Sequence, residues 1–249
     1  MTVPGKLLLR AGWGGRVDGV DEQTDMLWEF MERMARYGGF LADPWKGVRR
    51  GSYPVSASRD ELARFVQERI DDPKCDYSYP LTQSLGWPDD DPPHMSVSTR
   101  FSSPRGYEDM AANTVVGIIE SGKNVADKFP LPVGWLLGIG QSLVKDFVDI
   151  WHPDVVSLDS SEFMVPPIRP VRGSGLPVVG YFSWLSGSVV DPEVLPSAPV
   201  CESYKGGVLF GISPDSSDPV GDASFLARQV YGSGVLRLIP FVQGQPNPV

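Results

Sequence analysis

Apolar residues along the chain follow two periods, and each period predicts a set of elements. Between Asp21 and Tyr37, the residues Leu27, Phe30, Met31 and Met34 recur at i, i+3, i+4 and i+7 and so share one helical stripe. Gly38 and Gly39 end that helix. Ser58 and Glu61 form a capping-box pattern ahead of a second stripe made of Leu62, Phe65, Val66 and Ile70. Leu136, Ile139, Leu143, Phe147 and Ile150 mark a third helix with a wide apolar face, stopped at Pro153. Asp218 and Pro219 make an N-cap and first-turn pair for a fourth helix reaching Val230. Shorter stretches with strand character run over Lys6–Arg10, Met95–Phe101, Asn113–Glu120, Val155–Leu158, Gly207–Ser213 and Val235–Ile239.

Leu176–Ser186 differs from these in being apolar on both faces. At period two, Val178, Gly180, Phe182 and Trp184 share one side, and Val179, Tyr181, Ser183 and Leu185 the other. Such a strand is covered above and below, which makes it the predicted centre of the sheet. Strands and helices are interspersed without strict alternation, so the expected class is α+β. We expect a single domain over 1–249, with a mixed, largely antiparallel sheet and about four helices packed on it. Asp71–Pro93 is rich in Asp and Pro and reads as an exposed loop. Ser121–Val133 reads as an insertion, and Val189–Pro199 as a proline-punctuated loop.

Charge narrows the function classes. The net charge of −9 over 249 residues disfavours direct binding to a phosphate backbone and favours a basic partner. No apolar run approaches the ~18 residues that span a bilayer. The three leucines before Arg10 are too few for a signal-peptide core, so the expected compartment is the cytoplasm. Cys75 and Cys201 share no short spacing with each other or with a histidine, which gives neither a metal-ligand nor a redox-pair pattern. Two buried thiols are expected, with one distant disulfide as the alternative.

Candidate chemistry is sparse. Gly12–Gly19 lies between a predicted strand and helix but matches no phosphate-loop motif. His94 and His152 are the only histidines, and no nucleophile elbow accompanies them. His152 sits at a helix end, where it serves the helix terminus; a hydrolase would instead pair it with Asp154. Asp71, Asp72, Asp89, Asp90 and Asp91 lack the interleaved glycine and closing glutamate of a calcium loop. No catalytic set, metal site or cofactor is expected from these patterns.

Several separated segments, taken as a set, resemble immunity protein family 52 of bacterial polymorphic-toxin systems. They are Trp13-Gly14 with Arg16, Trp45, Asn113–Val116, Trp151 with Pro153 and Asp154, and the run from Gly180 and Tyr181 through Trp184 to Ser186. The resemblance implies a non-enzymatic cytoplasmic protein that binds and neutralises a cognate toxin, typically a nuclease of restriction-endonuclease-like fold. Carboxylates would then occupy the basic groove where DNA phosphates lie. On this reading the candidate toxin-binding surface is the acidic stretch with Asp71, Asp72, Trp87, Asp89, Asp90 and Asp91, touching neither nucleic acid nor membrane. A small-molecule hydrolase using His152 and Asp154 is the alternative, and a self-assembling structural protein a third.

Overall fold

A computed structural model describes residues 6–14, 18–49, 51–54, 58–71, 78–82, 94–100, 112–120, 133–160, 176–191, 193 and 195–237. The chain divides into two compact units, one over Gly15–Leu131 with the first few residues, the other over Leu7–Gly14 and Pro132–Val249.

The first unit carries helix α1 (Val20–Arg36), a short 3-10 helix (Gly39–Ala42), strands β2 (Lys46–Arg49) and β3 (Gly51–Pro54), helix α2 (Arg59–Asp71), and strands β4 (Ser78–Thr82), β5 (His94–Arg100) and β6 (Ala112–Glu120). Its strands lie in the order β3-β2-β4-β5-β6, every described pairing antiparallel. Met95, Val97 and Thr99 of β5 are buried while Ser98 is exposed, the alternation of a sheet with one covered face. α2 packs on β4 and α1 on α2, and their stripes are closed off: Leu27, Phe30, Met34, Leu62, Phe65 and Val66 are all buried. The Ser58 half of the capping box forms, with Glu61 N–H donating to Ser58 Oγ at 3.2 Å, while the Glu61 carboxylate turns toward Arg64. Gly38 and Gly39 end α1 as expected, both in the left-handed region at φ 69 and 56.

The second unit carries β1 (Lys6–Gly14), α3 (Val133–Trp151), β7 (Val155–Ser160), β8 (Phe182–Ser186), β9 (Val200–Tyr204), β10 (Gly207–Gly211) and α4 (Pro219–Ser233). Its strand order is β1-β7-β8-β10-β9, again antiparallel throughout, with β8 in the middle. Phe182, Ser183, Trp184 and Leu185 are buried without alternation, as a strand covered on both faces must be. α3 packs on β7 and β8, and a side-chain ladder joins it to β9: Lys145 pairs with Glu202 at 2.7 Å, and Tyr204 Oη donates to Asp149 at 2.8 Å. The hydrogen bond from Lys145 holds the Glu202 carboxyl below its ordinary range. At α4, Asp218 Oδ1 accepts Gly221 N–H at 3.1 Å with proline opening the helix. Replacing Asp218 with alanine is expected to cost about 1 kcal/mol, read as a lowered urea midpoint with an unchanged slope.

The α+β class, the largely antiparallel pairing and the four helices match the expectation. Five details do not. The predicted loop at Asp71–Pro93 contains β4, whose Pro80 masked its strand character; β2 pairs only with Leu81 and Thr82, so Pro80 has a single described strand neighbour, an edge-like setting that proline tolerates. The β2–β3 hairpin and β9 were also absent from the expected order. β9 turns into β10 through Lys205 and Gly206 at φ 47 and 75, a type I′ geometry that the Lys-Gly pair signals poorly. The expected closing strand at Val235–Ile239 is, where described, only a bridge from Leu236 to Val190. Cys201 is exposed and unpaired on the outward face of β9, contrary to the expectation of a buried thiol.

Candidate functional site

The described aromatic residues among those that carry the family resemblance, Trp13, Trp45, Trp151, Tyr181 and Trp184, are buried in the scaffold. Trp151 closes α3, is fully buried, and stacks on Trp13 with ring centroids 6.0 Å apart and 22° between planes. The helix stops at His152, which adopts φ 44 while its N–H still donates to Val148 O at 3.0 Å. Pro153 is buried beyond it. Asp154 then makes three bonds: its N–H donates to Gly12 O (2.9 Å), its Oδ2 accepts Gly14 N–H (3.1 Å), and its carbonyl accepts Ser186 N–H (2.9 Å). The segment therefore ties the end of α3 to β1 and β8. His152 is exposed, and among the described residues no bond joins it to Asp154.

The second signature has an equally structural explanation. A side-chain carbon at Gly180 would lie 2.2 Å from Leu158 O and 2.8 Å from Asp159 Cβ. Only glycine permits that approach, which lets Tyr181 N–H donate to Leu158 O at 2.7 Å. Gly180 N–H donates to Ser183 Oγ at 3.0 Å, and Trp184 Nε1 donates to Tyr204 O at 2.8 Å. Tyr181 is fully buried, and Trp45, in the first unit, packs edge-on against Phe30 with centroids 5.1 Å apart. Arg16 lies outside the described residues.

One buried carboxyl has perturbed chemistry. Asp159 is 1% exposed, meets Arg10 Nη2 at 3.0 Å and accepts Ser157 Oγ at 3.1 Å. Burial pushes it up to about 7, against the opposing pulls of Arg10 and Ser157. Tyr231 of α4 accepts Val179 N–H at 2.9 Å and donates to Pro177 O at 3.1 Å; burial, with a smaller contribution from the Asp159 charge and against the bond from Val179, raises its phenol to about 12. Arg10 and Ser157 hold the Asp159 carboxyl, while Tyr231 is held by the main chain of Pro177 and Val179.

Of the predicted toxin-binding residues, Asp71 is exposed at the end of α2. Asp72, Trp87, Asp89, Asp90 and Asp91 lie outside the described residues. The first unit does present a groove of about 270 Å³ between α1 and the segment following the 3-10 helix. Trp28, Met31 and Trp45 line its apolar part, while Glu32 and Asp43 contribute exposed carboxylates. No described lining residue is basic. Among the described residues, no group of three His, Cys, Asp or Glu side chains gathers as a cation site requires. No described helix is long and apolar enough to cross a membrane.

No family model matches the chain. No curated protein matches it either. Among solved structures, the Pseudomonas aeruginosa T6SS protein PA0821 aligns with 92% of this chain and 77% of its own length, at 11% identity and a TM-score of 0.49. A likeness at that score carries no functional inference, so the resemblance to immunity protein family 52 rests on the segments that carry it.

Sequence reasoning missed the groove, although a signal for it was present. Trp28 lies off the α1 stripe of Leu27, Phe30, Met31 and Met34 and remains partly exposed, where a solvated helix face would carry a polar residue. Asp43 and Pro44 read as ordinary loop residues until the turn at Gly38 and Gly39 brings them beside α1.

Proposed function

We propose that this chain is a cytoplasmic immunity protein that binds and neutralises a cognate polymorphic toxin, a nuclease of restriction-endonuclease-like fold, by occluding its basic substrate groove. It is a binding protein and not an enzyme. The observation that carries this reading is the use of the Trp151–Asp154 segment as a staple: the His152 main chain ends α3, one Asp154 carboxylate oxygen holds Gly14 N–H, and the Asp154 main chain bonds Gly12 and Ser186. The net charge of −9 supplies the complement to a surface built for DNA. Steering by such charge raises the association rate and weakens as salt rises.

Co-expression with a polymorphic toxin of the same host that carries a C-terminal nuclease domain tests the proposal. Growth of the host is expected to be restored by the wild-type chain, and the two proteins are expected to co-purify. Undiminished lethality together with no recoverable complex would overturn it.

A further inference from the structure

We propose that residues 176–180 form a strap that closes over the Asp159 carboxyl while that group keeps its proton, and that opens locally when the group ionises. The strap leads into β8 but precedes its ladder, and side chains hold its main chain instead. Tyr231 of α4 accepts Val179 N–H at 2.9 Å and donates to Pro177 O at 3.1 Å, so one phenol latches the strap at two points. Ser183 Oγ takes a third, accepting Gly180 N–H at 3.0 Å. Behind the latch the strap lies directly on β7: a side-chain carbon at Gly180 would come within 2.8 Å of Asp159 Cβ. Asp159 is left 1% exposed.

The strap itself, Leu-Pro-Val-Val-Gly, brings no ionisable side chain to the carboxyl. Arg10 of β1 meets it at 3.0 Å, Ser157 of its own strand donates at 3.1 Å, and the Tyr231 phenol on α4 feels its charge. Arg10 is itself partly exposed, and its attraction does not offset the near-complete burial of Asp159, which therefore holds its proton to about 7. Once ionised, the carboxylate gains from contact with water. Lifting the strap supplies that contact by breaking three side-chain bonds, and it leaves the ladders of β7 with β1 and β8 in place. The closed form binds the proton more tightly than the open form, so rising pH favours opening from the ordinary aspartate value of 3.8 up to about 7, and no further. This device belongs to the free chain and does not depend on the function proposed above.

Amide hydrogen exchange of the full ¹⁵N-labelled chain between pH 5 and pH 8 tests this, with each rate expressed as protection so that base catalysis of exchange is removed. Protection of the Val179 and Gly180 amides is expected to fall by about tenfold per pH unit up to pH 7 and then to level off. It is expected to stay well below that of Val208, a buried residue on β10 between β8 and β9. Asp159→Asn is expected to flatten the pH dependence. Tyr231→Phe removes the latch and keeps the carboxyl, so it is expected to lower strap protection by about 10- to 100-fold at every pH with the wild-type slope. Strap protection that does not change with pH in wild type, or that keeps its slope in Asp159→Asn, overturns the device. So do strap amides protected as strongly as Val208, which would mean that the strap opens only when the whole unit unfolds. Should Asp159→Asn fail to fold, wild type and Tyr231→Phe still decide, since unchanged strap protection in Tyr231→Phe overturns the latch.

Discussion

Replacing Trp151 with alanine is expected to cost about 3–5 kcal/mol, a large part of the stability of a typical domain. The side chain is fully buried and ends the helix that covers β7 and β8, so its removal empties a volume that the packed sheet cannot close around. The stack on Trp13 is lost with it, exposing the partner ring to a void. Urea unfolding followed by tryptophan fluorescence and by circular dichroism measures the effect. Trp151→Phe keeps an aromatic ring and is expected to recover part of the loss. A Trp151→Ala chain that stays within about 1 kcal/mol of wild type would show that this residue is not core and would reopen the Trp151–Asp154 segment as a working site.

The second large effect depends on pH. Asp159 holds its proton up to about 7 in the folded chain, whereas an unfolded aspartate releases it near 3.8. Between those values the folded state binds more protons than the unfolded state, so stability falls as pH rises through the window and levels off above it. Below the lower value the contribution is fully present. A span of about 3 units corresponds to at most about 4 kcal/mol at 1.36 kcal/mol per unit. Asp159→Asn removes the titrating group while keeping an acceptor for Arg10 and Ser157, so its stability is expected to decline much less between pH 5 and pH 7.5 than wild type. Parallel pH profiles for the two proteins would show instead that Arg10 keeps Asp159 ionised throughout.

The stretches that could be read from sequence were those in which one physical signal acted alone. Ser58 with Glu61 and Asp218 with Pro219 announced helix starts because a cap is a local bond. The run Phe182–Leu185 announced a doubly covered strand because both of its faces are apolar. β4 was hidden because Pro80 argues against a strand wherever its neighbours are unknown, and β9 because its turn uses lysine at a left-handed position that glycine or asparagine usually fills. Asp159 was hidden for a different reason. Ser157 and Asp159 alternate with Val156 and Leu158 as they would on a sheet with one wet face, and only packing that buries the polar side makes the carboxyl a core group. The groove needed two segments brought together by the turn at Gly38 and Gly39, and neither segment carries it alone.

On the function we propose, the aromatic signature is framework and an acidic surface meets another protein. The most direct test is a DNA-cleavage titration, in which the purified nuclease domain of the proposed cognate toxin is mixed with increasing amounts of this chain at fixed ionic strength. The expected result is cleavage that falls in proportion to added chain and stops at equimolar amounts, with inhibition weakening as salt is raised. Full cleavage in the presence of a large excess of the chain would contradict it.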